Sequence, residues 1–339
     1  MISRIRSLSE VDIISPTCNH FSEQFEIDNV RIFISYELYL PYVKDFLIHL
    51  SEAKPHKNKY YGQYKVFKVK ITDTGITISG SLSNYYAGKT GILHYNLLKP
   101  AIAKLGEELK LDLLKARLYR VDINWNVITN RPVEIYNKKL FLELSRFKRV
   151  EQVDGVRFQT LQKSLVIYNK SLELKDKKCK AEIAENWLRV EFKIFKDVKD
   201  IAGLTWVEDL MNPSAFLILM EMLKYYYFKV ERKKTSITHL KDLNNSKDYY
   251  DLLMLQGCEA RGGVDAVFQE VEDLMTIGVL NNRKQKYELK KKIKGLLRFQ
   301  IDSTKNPLIK ELDTKFLSNF EKTSDFLLKM SKKQIKKEV

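Results

Sequence analysis

Three short strand-like runs carry the residues best suited to chemistry. They are Arg120-Val121-Asp122-Ile123-Asn124, Val166-Ile167-Tyr168-Asn169-Lys170-Ser171-Leu172-Glu173 and Leu188-Arg189-Val190-Glu191-Phe192. Side chains alternate faces along a strand. Between Arg117 and Ile128 one face therefore reads Tyr119, Val121, Ile123, Trp125, Val127 and the other Arg120, Asp122, Asn124, Asn126. The same split sets Val190, Phe192 and Ile194 against Arg189, Glu191 and Lys193, and Leu165 and Ile167 against Val166, Tyr168 and Lys170. If the three strands share a sheet, its polar face gathers acids, a tyrosine, an arginine and lysines. That combination suits metal-assisted attack on a phosphodiester.

Any metal has to sit on oxygen. His20, His49, His56, His94 and His239 are scattered, and none forms a His-x-His or His-x-x-x-His pair. Asp122 and Glu191, with Glu173 or Asn124 completing the shell, would suit Mg2+ or Mn2+, which favour carboxylates and water. The competing reading of Asp122 is a salt bridge to Arg120 or Arg189. A tyrosine nucleophile at Tyr168 needs nearby positive charge or a base, because a phenol's reference pKa is near 10. Lys170 projects from the same strand face. Packing is the competing role for Tyr168, one of 18 tyrosines, with Tyr85-Tyr86, Tyr225-Tyr226-Tyr227 and Tyr249-Tyr250 as alternative candidates.

The segment Gly80 to Gly91 contains Gly88-Lys89-Thr90, but Ser83 stands where a nucleotide-hydrolase phosphate loop needs its first glycine, so an ATPase is excluded. Read as a loop, it could place Lys89 on a phosphate and Tyr85 or Tyr86 against a base. A plain surface loop is the alternative.

The elements that must position these groups follow from composition and periodicity. A chain of 339 residues, 44% hydrophobic, is expected to fold into two domains, spanning 1–205 and 206–330, with a disordered basic tail at 331–339. A net charge of +16 favours a polyanionic partner, nucleic acid first and an anionic membrane surface second. The longest apolar run, Ala215 to Met220, is too short to span a bilayer, and the N-terminus lacks signal-peptide character, so a cytoplasmic location is expected. Three separated cysteines indicate neither a disulfide framework nor a cysteine zinc site.

The first part reads as α+β, an antiparallel sheet with helices on one face. Val30 to Leu40 alternates as a strand, Tyr64 to Ile71 and Gly75 to Ser79 form a hairpin, Asn96 to Leu109 has helical spacing, and Pro132 to Phe147 is expected to be a helix. From Asn212-Pro213, an N-cap followed by proline at the first helical position, the chain becomes mainly helical, with helices at Pro213 to Lys229, Lys247 to Gln256, Val264 to Ile277 and Arg283 to Phe299. Lys284, Lys286, Lys290, Lys291 and Lys294 in the last of these suit phosphate contacts, or a solvated basic face.

In their order, Ser79-Gly80-Ser81-Leu82-Ser83-Asn84-Tyr85-Tyr86-Ala87-Gly88, Arg120-Val121-Asp122, Tyr168-Asn169-Lys170-x-x-Glu173 and Leu188-Arg189-Val190-Glu191 resemble the filamentous-phage replication initiators. They also resemble, more distantly, the rolling-circle initiators of small plasmids. The resemblance covers roughly residues 30 to 200. It implies an endonuclease and strand transferase that nicks one origin strand, links to its 5′ phosphate through tyrosine and later rejoins the ends. On that basis Tyr168 is the nucleophile, Asp122, Glu173 and Glu191 are metal ligands for Mg2+ or Mn2+, and Lys170 and Arg189 stabilise phosphate charge. Val166 departs from the arginine that the plasmid proteins usually carry two residues before the tyrosine. The implied partners are origin DNA, single-stranded and duplex, with a host helicase and polymerase. A rival class, a noncatalytic initiator that binds the origin and recruits host enzymes, explains the charge equally, as does a structural RNA-binding protein. Only catalysis requires a covalent protein–DNA product.

Overall fold

The computed structural model describes residues 24–35, 51–56, 59–179, 182–232, 246–296 and 306–338. In chain order the strands and helices are β1 (Phe25–Ser35), β2 (Ser51–His56), β3 (Lys59–Tyr64), β4 (Phe67–Ile71), β5 (Gly75–Ser81), α1 (Leu82–Tyr86), α2 (Tyr95–Leu109), β6 (Arg117–Ile128), α3 (Val133–Leu140), β7 (Phe141–Glu143), β8 (Lys148–Glu151), β9 (Gly155–Gln159), β10 (Lys163–Asn169), α4 (Lys170–Asp176), β11 (Trp187–Ile194), α5 (Val198–Ala202), α6 (Pro213–Lys229), β12 (Glu231–Arg232), α7 (Ser246–Ala260), α8 (Val264–Thr276), α9 (Arg283–Leu296) and α10 (Pro307–Glu338). The fold class is α+β as expected: a ten-stranded sheet in the order β2-β3-β4-β5-β1-β6-β11-β10-β9-β8, every pairing antiparallel, followed by a mainly helical region.

The alternation read from sequence sorts the two faces of the sheet. Val121, Ile123, Trp125, Leu165, Ile167, Val190 and Phe192 turn inward and are buried. Against them lie Leu98, Ile102 and Leu105 of α2, Phe216, Leu219 and Leu223 of α6, and Leu312 and Phe316 of α10, all in the same hydrophobic cluster. Burial of large side chains at about 1.5–3 kcal/mol each is the main force holding these helices to the sheet. Aromatic contacts fix their placement: Trp125 meets Phe316 edge-on at 4.8 Å, Tyr227 stacks on Phe316 at 4.7 Å, and Tyr226 stacks on Phe192 at 4.6 Å. The last helix thus closes the core of the first strands. By contrast α7, α8 and α9 gather around a small separate cluster of Leu255, Cys258, Val271 and Ile293.

Local signals placed several boundaries. The Asn212 side chain accepts from the Ser214 backbone N–H and Pro213 opens α6. Gly75 allows the tight β4–β5 turn, at φ 157, where an added Cβ would collide with the Phe33 ring and the Ile34 carbonyl. Other expectations need correction. The helix expected over Pro132 to Phe147 stops at Leu140, because Phe141 enters a two-stranded pairing with β12 and packs its ring 6.2 Å from Tyr227. The first strand begins five residues earlier than Val30, at Phe25, and its expected end, 36–40, lies outside the described residues. The segment after β5 is a short helix, α1, where a loop was expected, because Ser81 caps it by accepting from the Asn84 N–H. Backbone helix extends to Glu338 in α10. Among the described residues no helix is long and apolar enough to cross a membrane.

Candidate active site on the open face of the sheet

The uncovered face of β6, β11 and β10 brings most of the sequence-predicted residues together. Register places Tyr168 opposite Arg189, and Arg189 opposite Asn126; Val166 faces Glu191, which faces Asn124; Ser164 faces Lys193, which faces Asp122. A cavity of about 220 Å³ opens above this patch, lined by Tyr168, Lys170, Glu173, Arg189, Glu191 and Lys193, together with Lys89 from the α1–α2 connection. Tyr168, Lys170, Arg189, Glu173, Glu191 and Lys89 therefore share one pocket. Among the described residues the Tyr168 hydroxyl has no hydrogen-bond partner.

Two further acids join them from β1. Glu26 is fully buried and its Oε1 meets Arg189 Nη2 at 2.7 Å, while Asp28 lines the cavity and lies 3.4 Å from Arg189 Nη1. The sequence reading missed both by starting the strand at Val30. Extending the alternation of Val30, Ile32 and Ile34 upstream would have set Glu26 and Asp28 on the packing face, because the phase changes between Ile27 and Val30 and it is Phe25 and Ile27 that turn inward. A bulge between Ile27 and Val30 re-aims this part of β1 relative to β6. Around Glu26 the site is tightly satisfied: Oε2 accepts from Ser83 Oγ and the Leu93 N–H, each at 2.9 Å, and Oε1 accepts from Asn126 Nδ2 at 3.0 Å. Asp28 accepts from the Ser81 hydroxyl. The Gly-Ser-Leu-Ser segment is thus a brace between β5 and the β1 acids.

Arg189 donates through Nε to Asn126 Oδ1 at 2.7 Å. Asn124 best satisfies its neighbours with its oxygen toward Arg189 Nη1 and its nitrogen toward Glu191 Oε1, each at 3.2 Å. Burial opposes the guanidinium's charge, but Glu26, Tyr168 and Asp28 outweigh it and raise the Arg189 pKa above its ordinary value. Burial and the Glu191 charge push the Tyr168 phenol well above 10, with Arg189 pulling the other way. Burial, reinforced by Arg189, lowers the Lys170 ammonium below its usual range despite Glu173. Burial works against the Glu173 carboxylate, yet Lys170 at 2.6 Å and Lys177 hold it down at about 2.

The predicted metal set divides differently. Asp122 is fully buried, does not line the cavity, and accepts from Arg120 Nε at 2.8 Å and Nη2 at 2.5 Å. The ion-pair role considered for it is the one the structure contains. Glu191 pairs with Lys193 at 2.6 Å, and Glu173 is held by two lysines. With each carboxylate already matched to a cation, the three form no common oxygen cage, and among the described residues no group of three His, Cys, Asp or Glu side chains could hold an ion.

The residues predicted for nucleic-acid contact are scattered. Tyr85 donates to Glu108 at 2.6 Å and packs 5.4 Å from the Phe67 ring, with Lys65 over its face. Burial and Glu108 raise its pKa above the ordinary value. Tyr86 lies under Lys104, whose Nζ is 5.8 Å from its ring centre. Neither lines the cavity. On α9, Lys286 and Lys290 bind Glu272 of α8 at 3.1 and 2.6 Å, while Lys284 and Lys291 are exposed; the Lys294 side chain lies outside the described residues.

No family model matches this chain, and no curated protein matches it. Among solved structures, it is similar to a rolling-circle replication initiator protein from Geobacillus stearothermophilus, with 11% identity over 68% of this chain and 96% of that one and a TM-score of 0.38. It also matches the TBP of Methanococcus jannaschii, at 10% identity over 60% of this chain and 98% of that one, with a TM-score of 0.22. At these scores both are distant resemblances, and neither carries an assignment of function.

Proposed function

We propose that the chain is a replication initiator of the rolling-circle type, a single-strand DNA endonuclease and strand transferase in which Tyr168 is the nucleophile. The observation that carries this reading is the direct pairing of Tyr168 with Arg189 across adjacent strands, at a cavity where Lys170, Lys193 and Lys89 also converge. Such a pocket suits one phosphodiester: cations bind its oxygens and a hydroxyl without another partner faces it.

In the step proposed, the Tyr168 oxygen attacks phosphorus, the bond from phosphorus to the 3′ oxygen breaks, and the 5′ phosphate remains esterified to the tyrosine. The phenol's proton must leave as attack proceeds, since burial keeps Tyr168 protonated at neutral pH. Glu191, the acid whose charge most raises the phenol's pKa, is the proposed acceptor. Lys170, with its weakened hold on its proton, is the proposed donor to the departing 3′ oxygen. Arg189, pinned by Glu26 and Asn126, would balance the added phosphate charge without reorganising. Reversal of the same step would rejoin the ends without ATP, because the ester conserves the cleaved bond.

The test is incubation of the protein with Mg2+ or Mn2+ and a labelled single-stranded or supercoiled origin from its own replicon, followed by a denaturing gel. A labelled protein adduct that disappears in Tyr168→Phe supports the reading. An adduct that survives moves the chemistry to another tyrosine. Tyr168→Phe should fold with stability within about 1 kcal/mol of wild type, since it removes an unpartnered hydroxyl. Parallel reactions with EDTA read the metal expectation separately. The second reading, a noncatalytic origin-binding initiator, is favoured by the protonated, buried state of Tyr168, and predicts salt-sensitive binding with no adduct on any substrate.

A further inference from the structure

The uncovered face continues away from Tyr168 into a second groove, of about 630 Å³, over β3, β4, β5 and β1. Its floor and walls follow from register. Lys68 of β4 lies opposite Ser79 of β5, which lies opposite Arg31 of β1; one step along, Tyr61 of β3 faces Lys70, Lys70 faces Thr77 and Thr77 faces Phe33. The small Ser79 and Thr77 therefore form a trough between rows of long side chains. On the walls stand Arg31, Lys68 and Lys196, none of them ion-paired among the described residues, and Lys70, whose ammonium lies 5.9 Å from the Tyr61 ring centre. Asp197, the acid at the rim, accepts from Gln162 at 2.8 Å.

Two aromatic rings open to solvent flank this charge. Tyr61 and Tyr119 are each 43% exposed, although both are large enough to be buried in a strand of this sheet. Tyr119 sits at a register shift between β1 and β6, which turns it out beside Phe33 at 5.8 Å. The groove is joined to the Tyr168 pocket by a line of cations, since Arg31 pairs in register with Arg120, and Arg120 and Lys193 flank the same Asp122. From β1 to β10 is three strand spacings, about 14 Å, a span of a few nucleotides.

We propose that this groove is a second binding site, for a single-stranded polynucleotide segment flanking the phosphate held at Tyr168, with Arg31, Lys68 and Lys196 on phosphates and Tyr61 and Tyr119 stacking on unpaired bases. It rests on the reading above only in taking a polynucleotide as the ligand. Charge complementarity selects a polyanion, and exposed rings beside the charge select one with accessible base faces over a duplex or a lipid surface. The α1 tyrosines expected to stack are engaged with Glu108 and Lys104, so this groove supplies the platform that they do not.

The experiment is fluorescence anisotropy of the full chain with a labelled oligothymidylate of about 12 nucleotides, within the range of single-strand site sizes, without divalent ions and across a salt series. Arg31→Ala/Lys68→Ala should weaken binding and reduce the logarithmic salt slope by about 1.4, at roughly 0.7 per phosphate contact on single strands. Tyr61→Leu and Tyr119→Leu should each weaken it by about 5-fold or more at every salt concentration with the slope unchanged, as expected for lost stacking. Binding to a duplex of equal length should not respond to either tyrosine change. Unchanged oligothymidylate binding in both sets, with thermal melts unaltered, overturns the proposal. So do losses that are equal for single strands, duplex and heparin, which would mark a plain basic face. Groove variants that bind oligothymidylate as the wild type does, with an intact adduct on origin DNA, defeat this inference alone, while absence of any adduct with the groove responding as stated defeats the nickase reading alone.

Discussion

Arg189 and Glu26 form a 2.7 Å ion pair that reaches across an intervening strand, Arg189 from β11 and Glu26 from β1, with Asn126 and Asn124 of β6 between them. Their side chains are 3% and 0% exposed. The pair places the guanidinium behind Tyr168 and prevents it from swinging toward solvent. It also ties the active face to the Ser83 brace through Glu26.

Removing Glu26 should be costly, because it leaves the buried Arg189 guanidinium with only the longer contact to Asp28, at 3.4 Å, against its charge. Glu26→Ala is expected to lower stability by about 3–5 kcal/mol. Urea denaturation followed by circular dichroism measures this. Glu26→Leu combined with Arg189→Met should recover a good part of the loss while abolishing any adduct; a double variant as unstable as Glu26→Ala would refute the argument.

Gly155 faces Tyr168 in register, and its backbone approaches so closely that an added Cβ would lie 2.1 Å from the Ile167 carbonyl and 2.6 Å from Tyr168 Cβ. Gly155→Ala must push β9 away from β10. The expected loss is about 1–3 kcal/mol, as for overpacking, with a larger fall in adduct formation than in DNA binding. Comparing denaturation midpoints, adduct yield and anisotropy for the one variant separates these effects.

Glu173 is held at about 2, below its ordinary 4.5, by Lys170 and Lys177 once burial is outweighed. A depressed acid stabilises the folded state above its unfolded pKa, and that contribution is lost as pH falls through the folded value. The window is therefore roughly pH 4.5 down to 2. Glu173→Gln should be less stable at neutral pH and show a shallower loss across that window. Melting temperatures measured at intervals from pH 6 to 2 should converge toward wild type at the acid end, and parallel curves would refute the assignment.

The basic helix α9 divides into two classes of lysine. Lys286 and Lys290 are matched by Glu272, with Lys290 also 5.2 Å from the Phe268 ring centre, whereas Lys284 and Lys291 face solvent. If α9 contacts duplex DNA, Lys284→Ala/Lys291→Ala should reduce the salt slope of duplex binding by about 1.8, at roughly 0.9 per contact. Lys286→Ala/Lys290→Ala should instead lower the thermal stability of the α7–α9 unit with a smaller change in slope.

Local chemistry determined a good deal of this protein. Backbone geometry imposes a period of two on any strand, so Asp122, Tyr168, Arg189 and Glu191 could be assigned to a polar face from their spacing alone, whereas Lys170, expected on the same strand face as Tyr168, opens α4 after the Asn169 cap. Asn212-Pro213 marked the start of α6 for a similar local reason, a side-chain cap and a ring that fits the first turn. The hairpin at Gly75 and the extent of α2 were equally local. Strand order, register and the choice of ion-pair partner are decided by contacts between residues far apart in the chain. Only the tertiary structure set Tyr168 against Arg189, brought Glu26 and Asp28 beneath them, left Asp122 to Arg120, turned Tyr85 to Glu108 and folded α10 back onto Trp125. Each of these depends on which face of a distant element arrives, and with it on burial and charge pairing that no local period encodes.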